Sequence, residues 1–370
     1  MKKVILTGLV LVCLIASLIA GCAPKKEAAP HPEPAVPAYP RTIVDSAGRT
    51  VTIDKPIQRI VGRLQVAEAI KILGAEDKMV GVGDSVKQRE LFFPELSKLP
   101  SVGERSNPNI EKIIELKPDV VIWTRTFAEG VLEKKLEPLG ITVIRLDLYR
   151  PETILDDLRK LAYILEKEDE AKKFIDWYEG YMNAIKQRTT GLPEDERPKV
   201  YFEMFWDYMT CTRGYGPDMM IRAAGGRNIA ANLEPPDKAV KVSPEWVVAQ
   251  NPDIIVKSPS IAGVYPYNID DPKVLKDIRD AILNRPGFSE ITAVKKGRVY
   301  VGLPWGELVV TPRSVIGTAY MAKWFHPELF KDLDPKAIHQ EYLKRFMRID
   351  YDLDTHGVFV YHPEQHPDGR

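Results

Sequence analysis

Four arginines, Arg63, Arg89, Arg125 and Arg213, stand in stretches without helical or strand periodicity, at residues 62–65, 83–89, 124–130 and 205–215. The last of these stretches, with residues 258–268 and 303–310, gathers Phe205, Trp206, Tyr208, Tyr215, Tyr265, Tyr267 and Trp305. Connecting segments normally avoid presenting so many rings to water. A guanidinium pairs with carboxylate, catecholate or propionate oxygens and also stacks on a flat face. Rings interleaved with arginines therefore suit the capture of a large, partly flat, anionic chelate. The candidate ligand-binding residues are Arg63, Arg125, Trp206, Tyr208, Arg213, Tyr215, Tyr265, Tyr267 and Trp305, with Arg63 and Arg213 foremost among the arginines. For any single ring the plain alternative is packing within or between lobes.

Catalytic chemistry is not expected. The chain offers no nucleophile beside a base, no glycine-rich phosphate loop and no cysteine cluster. Five of the six histidines, His326, His339, His356, His362 and His366, fall near the C-terminus, and His31 lies near the start, so none is available to grip a bare zinc or manganese ion among the arginines. Pro363 and Pro367 deny His362 and His366 a regular helix, and neither a metal site nor a resident cofactor is expected. Haem is also held by tyrosine in some proteins, for which Tyr208 and Tyr215 are the candidates.

The elements that must position these residues show an internal echo. Residues 111–122 read EKIIELKPDVVI and residues 245–256 read EWVVAQNPDIIV. Each runs from a glutamate through a short helical stretch and a Pro-Asp break into an apolar run suited to a buried parallel strand. Around the first copy, strands are predicted at 59–61, 79–82, 120–123 and 142–146, with helices at 66–73 and 129–138. Around the second, strands are predicted at 199–204, 254–257 and 299–302, with helices at 219–224 and 313–325. Such alternation predicts an α/β fold of two Rossmann-like lobes, 41–151 and 191–330. Between them, over 152–190, Leu155, Leu158, Ala162, Leu165, Phe174, Tyr178, Tyr181 and Ile185 recur at helical spacing, predicting one long, rigid linking helix. In open α/β sheets a ligand sits beyond the carboxyl ends of the strands, which selects the six arginine- and ring-bearing stretches as the walls of a cleft between the lobes.

DSAGRTVTIDKPIQRIV, LGAEDKMVGVG, NIEKIIELKPDVVI, AAGGRNIA, VSPEWVVAQNPDIIV and VKKGRVYVG follow one another in an order that resembles the class III solute-binding proteins of ABC importers for ferric siderophores, haem and cobalamin. The resemblance covers about residues 41–330. It implies a ligand held between lobes that close little, with an ABC permease and its ATPase as partners. It further implies that Glu111 and Glu245 pair with permease arginines, and the echo places both acids at equivalent tips. Arg313, in Thr-Pro-Arg, looks like a scaffold feature of that family. Some relatives take molybdate or tungstate instead, and a ligand sensor or surface adhesion protein of the same fold is a further alternative. Residues 331–370 extend beyond the resemblance and are not assigned.

At the start of the chain, Lys2 and Lys3 precede an apolar run from Val4 to Ala20, and Ile19-Ala20-Gly21-Cys22 resembles a lipobox. Residues 1–21 are read as a lipoprotein signal, Cys22 as the lipidated first residue, and 22–40, with six prolines, as a tether on the outer side of a cytoplasmic membrane. Without Lys2 and Lys3 the chain has 50 basic against 52 acidic residues, which gives no reason to expect nucleic acid. Cys13 lies in the signal and Cys22 carries lipid, so Cys211 has no partner for a disulfide and stability must come from the core. A monomer is expected.

Overall fold

The computed structural model describes residues 39–260 and 265–370, so the signal, Cys22 and nearly all of the tether lie outside the described residues. Strands β1 (Arg41–Val44) and β2 (Thr50–Ile53) pair as an antiparallel hairpin that turns Ile43, Val51 and Ile53 inward. The first lobe follows with β3 (Ile60–Gly62), helix α1 (Leu64–Ile72), β4 (Met79–Val82), α2 (Asp84–Lys87), the two-residue strands β5 (Gly103–Glu104) and β6 (Asn107–Pro108), α3 (Ile110–Glu115), β7 (Val120–Trp123), α4 (Val131–Leu136) and β8 (Thr142–Arg145). Helices α5 (Ile154–Leu165) and α6 (Glu168–Thr189) lead to the second lobe. That lobe comprises β9 (Lys199–Glu203), β10 (Met209–Cys211), α7 (Gly216–Ala223), β11 (Arg227–Asn228), β12 (Ala239–Lys241), α8 (Pro244–Gln250), β13 (Ile254–Lys257), α9 (Lys273–Leu283), α10 (Thr292–Lys295), β14 (Val299–Gly302) and α11 (Ser314–Phe325). The chain finishes with α12 (Pro335–Tyr342) and β15 (Val360–Tyr361).

The first sheet has order β4-β3-β7-β8, all parallel, and the second has order β11-β9-β13-β14-β15, parallel except for β15. Every residue of β7, β13 and β14 is buried, as expected of strands covered on both faces. The echo is structural. α3 feeds β7, which lies between β3 and β8, and α8 feeds β13, which lies between β9 and β14. Lys117 and Asn251, each preceding the Pro-Asp pair, both take left-handed backbone, with φ 47° and 45°. Asp119 Oδ2 accepts the backbone N–H of Gln58 and Arg59 at the start of β3, while Asp253 Oδ2 accepts that of Lys199 at the start of β9. Arg59 and Lys199 in turn donate to carbonyls at the C-terminal ends of α3 and α8. The Pro-Asp break is thus a clip that sets the register of each lobe's first strand.

The helix expected over 152–190 is two helices. Glu166 adopts φ 57° and Lys167 is not helical, so α5 stops at Leu165 and α6 restarts at Glu168. The break falls in the charged patch 166–170, where three acids at 168–170 favour a new N-terminus. Of these two helices it is α6 whose buried face, with Phe174, Trp177, Tyr178 and Ile185, packs on α1 of the first lobe and on α7 and α11 of the second.

Residues 331–370 belong to the fold and touch both lobes. β15 pairs antiparallel with β14 at the end of the second sheet. Tyr342 and Phe346 lie against Trp177 and Phe174 of α6, at ring-centroid distances of 5.7 and 5.2 Å. The Tyr342 hydroxyl donates to Glu68 Oε1 on α1 at 2.6 Å, and Arg348 pairs with Glu76 at 2.7 Å. This segment is a strap across the molecule.

Candidate functional site

The loops at the carboxyl ends of the two sheets meet. Arg89, after β4, pairs with Glu307, after β14, at 2.6 Å. The Tyr265 hydroxyl donates to Gln88, and Arg150, after β8, pairs with Asp237 at 3.2 Å. The cleft expected from the strand ends therefore exists, with residues of both lobes in contact along it.

Its first-lobe wall is short of hydrogen bonds. Arg63, the residue after β3, is 7% exposed, and among the described residues it makes no ion pair and its Nε has no partner. The Trp123 ring at the end of β7 lies 5.5 Å from its guanidinium. Burial pulls the Arg63 pKa down to about 10, partly offset by Glu104, with Arg105 and Tyr149 also in electrostatic range. Gln65 Oε1 in the first turn of α1, Ser85 Oγ in α2 and Thr124 Oγ1 just after β7 are likewise buried without partners among the described residues. Orphaned polar groups are costly, and these four lie along one sheet edge, where water or a polar ligand would satisfy them.

The opposing wall is aromatic. Tyr215 stacks on Trp305 (6.2 Å, 17°), Trp305 meets Phe205 edge-on (5.3 Å), and Phe205 meets Trp206 edge-on (4.6 Å). Trp206 ends the row 65% exposed. Its backbone is held in tension: Tyr208, Leu303 and Val310 adopt φ of 61°, 53° and 56°, unfavourable for side chains of these types. Gly317 of α11 clamps the 303–310 loop, since a Cβ there would lie 2.3 Å from the Leu308 carbonyl oxygen.

A cavity of about 240 Å³ lies where the lobes meet, bordered by Ser85, Gln88 and Arg89 of the first lobe and Ser260, Tyr265, Trp305 and Glu307 of the second. Behind it runs a buried chain of alternating charge. Glu307 also pairs with Arg313, and Arg313 pairs with Glu68 at 2.7 Å. Burial would depress the Arg313 pKa, but Glu68 and the other acidic neighbours raise it well above the usual arginine value. Arg313 has no exposed surface, and its place in the chain matches the scaffold role expected of it.

Of the candidate residues, Tyr215 and Trp305 stack on each other, Trp206 joins their row through Phe205, Tyr265 reaches Gln88 of the first lobe, and Arg63 stands at the end of β3 against Trp123. Arg125 is exposed and pairs with Asp147 at 3.4 Å. Arg213 is exposed and donates to Asn232 at 2.6 Å. Tyr208 turns aside, its ring 4.5 Å from the Arg285 guanidinium. Tyr267 is placed elsewhere altogether: it is buried against Phe92 and Phe359, with its hydroxyl 2.7 Å from His339 Nε2 of the strap. Sequence reasoning missed Gln65, Ser85, Thr124, Tyr149 and Glu307, and it named Arg89 without including it in the binding set. Glu111 and Glu245 are exposed in the first turns of α3 and α8, whose N-caps are Asn109 and Ser243. Among the described residues, no group of acids, histidines and cysteines is arranged to hold a metal ion.

A family model described as periplasmic binding protein matches residues 60–304. An uncharacterised ABC transporter substrate-binding lipoprotein of Bacillus subtilis is 27% identical over 86% of this chain and 96% of its own length. An iron-uptake system-binding protein of the same organism is 26% identical over 86% and 95%. Among solved structures, the molybdate-bound periplasmic binding protein MolA of Haemophilus influenzae superimposes with a TM-score of 0.69 at 25% identity, covering 84% of this chain and 99% of that one.

Proposed function

Because the chain belongs to the periplasmic binding protein family, we propose that it captures an iron chelate, a ferric siderophore or haem, or else cobalamin, and delivers it to the permease of an ABC importer. The supporting observation is a cavity that Ser85 of the first lobe and Trp305 of the second both line, with Arg63, Gln65 and Thr124 at the ends of the first sheet's strands and Phe205, Trp206 and Tyr215 continuing the row of rings from Trp305. An unpaired guanidinium attracts acidic oxygens, and a row of rings covers a flat body. Exposed Glu111 and Glu245 would dock the two tips on the permease, and lipid on Cys22 would hold the protein near it, outside the cytoplasm. The importer's ATPase acts on the far side of that membrane, and the binding protein works as a monomer.

A second reading is a molybdate or tungstate carrier. The cavity of about 240 Å³ favours it, being smaller than the ~300–1,000 Å³ usual for sites that enclose larger organic ligands. Native mass spectrometry with an absorption spectrum, on protein purified from its own host, tests both. A coloured adduct with the mass of an iron chelate, haem or corrinoid is the expected result. A colourless oxyanion adduct selects the second reading, and an organic ligand without a metal overturns both.

A further inference from the structure

A second cavity, of about 360 Å³, lies beside the first and shares Pro259 and Ser260 with it, yet all of its lining comes from the second lobe. Its polar end is built on Glu203, the last residue of β9, which is fully buried and in register with Lys257 at the end of β13. Glu203 accepts from Lys257 Nζ at 2.8 Å, from Arg285 at 2.7 and 2.9 Å, and from the Tyr201 hydroxyl and the Tyr208 backbone N–H at 3.0 Å each. One carboxylate is thereby saturated, but two cations face it. Lys257 and Arg285 are 5% and 11% exposed at their side chains, so the surplus positive charge is poorly shared with water.

Asp207 supplies the missing negative charge. Its Oδ1 lies 3.3 Å from Lys257 Nζ and 2.9 Å from Arg285 Nη2, while the side chain is 69% exposed. A carboxylate so open to solvent holds its place weakly. Beside the charged end the cavity is lined by Phe205 and the Ile278 and Ile282 side chains of α9, with Tyr208 and Ser260 also on its wall.

We propose that Lys257 and Arg285 form a carboxylate-binding subsite in which Asp207 is a displaceable stand-in, and that the subsite takes an organic acid with an apolar body. The acid is either a free small molecule or the acidic arm of the cleft ligand; only the latter rests on the function proposed above. The carboxylate replaces that of Asp207 on the two cations, and the body lies along Phe205, Ile278 and Ile282. No covalent step is involved.

Benzoate is a suitable probe, with benzyl alcohol as its neutral counterpart, titrated into the full-length protein and followed by backbone amide NMR and calorimetry. Benzoate should shift the amides of Tyr208, Lys257 and Arg285, and benzyl alcohol should not. In Asp207→Ala, whose altered side chain is exposed, benzoate affinity should rise by about tenfold because the competing charge is gone. Adding Lys257→Met to that variant should abolish the gain. Equal or weaker benzoate binding in Asp207→Ala, or shifts confined to the surroundings of Arg63, overturns the proposal. If native mass spectrometry finds no chelate, the benzoate result still stands or falls alone; if benzoate fails while a chelate is found, only the subsite is lost.

Discussion

Arg63 carries a charge that stability alone would not retain, since its guanidinium is desolvated and Glu104 offsets only part of that cost. Arg63→Met keeps the apolar stem and removes the charge, so thermal melting is expected at a higher temperature than in the unaltered protein. Affinity for the native ligand should fall by about 10- to 100-fold, the loss of a hydrogen bond to a charged group being worth ~1.5–3 kcal/mol. Calorimetry beside a melting curve checks both; a variant that melts lower and binds normally would make Arg63 a structural residue. At this scale the sequence was partly legible. The place of Arg63 at the sheet edge was legible because a residue directly after a buried strand must stand there. The Arg89–Glu307 pair was not, because its members are 218 residues apart and nothing local joins them. Tyr267 looked like the other loop rings, and only the strap, which no pattern had placed, explains why it is buried.

Among the elements, the strap invites a direct test at Tyr342. Tyr342→Phe keeps the ring against Trp177 and leaves Glu68 without its hydroxyl donor, for an expected cost of about 1–3 kcal/mol in chemical denaturation. An unchanged midpoint would show that the bond contributes nothing. The histidines add a pH dependence. Burial lowers the pKa of His326, His362 and His366, and lowers that of His339 well below the usual 6.5. Below pH 6.5 the unfolded chain gains protons that the folded chain refuses, so stability is fully present above that pH and declines as pH falls toward the depressed folded values. Melting should therefore occur at a lower temperature at about pH 5.5 than at about pH 7.5, with amide-exchange protection lost first in 335–370; a flat profile between those values sinks the argument. The echo and the strands were legible because fully buried strands leave continuous apolar runs. The break at Glu166 was not, because its two flanking stripes keep helical spacing on either side, and the strap was not, because its strand pairing spans only two residues.

For the molecule as a whole, the elements that join the lobes set how the two tips stand to each other. α6 packs on helices of both lobes, the strap touches both, and the charge chain runs from Arg89 of the first lobe through Glu307 and Arg313 of the second back to Glu68 of the first. Glu111 and Glu245 occupy equivalent positions in equivalent units, each ahead of a central strand clipped by its own Pro-Asp pair. Both are exposed, and hydrogen bonds from its own backbone N–H and from Ser243 hold the Glu245 pKa below the usual carboxylate value, so it is charged at neutral pH. Two acids held at a set spacing can engage two cationic sites at once, and loss of one leaves the other still aligned. Glu111→Lys or Glu245→Lys alone should therefore reduce stimulation of the importer's ATPase, and the double variant should abolish it. Ligand affinity should be unchanged in all three, because neither residue lines the cleft. Full stimulation by the double variant would remove these acids from the docking surface, whereas a matching loss of ligand affinity would show that the tips and the cleft are not independent.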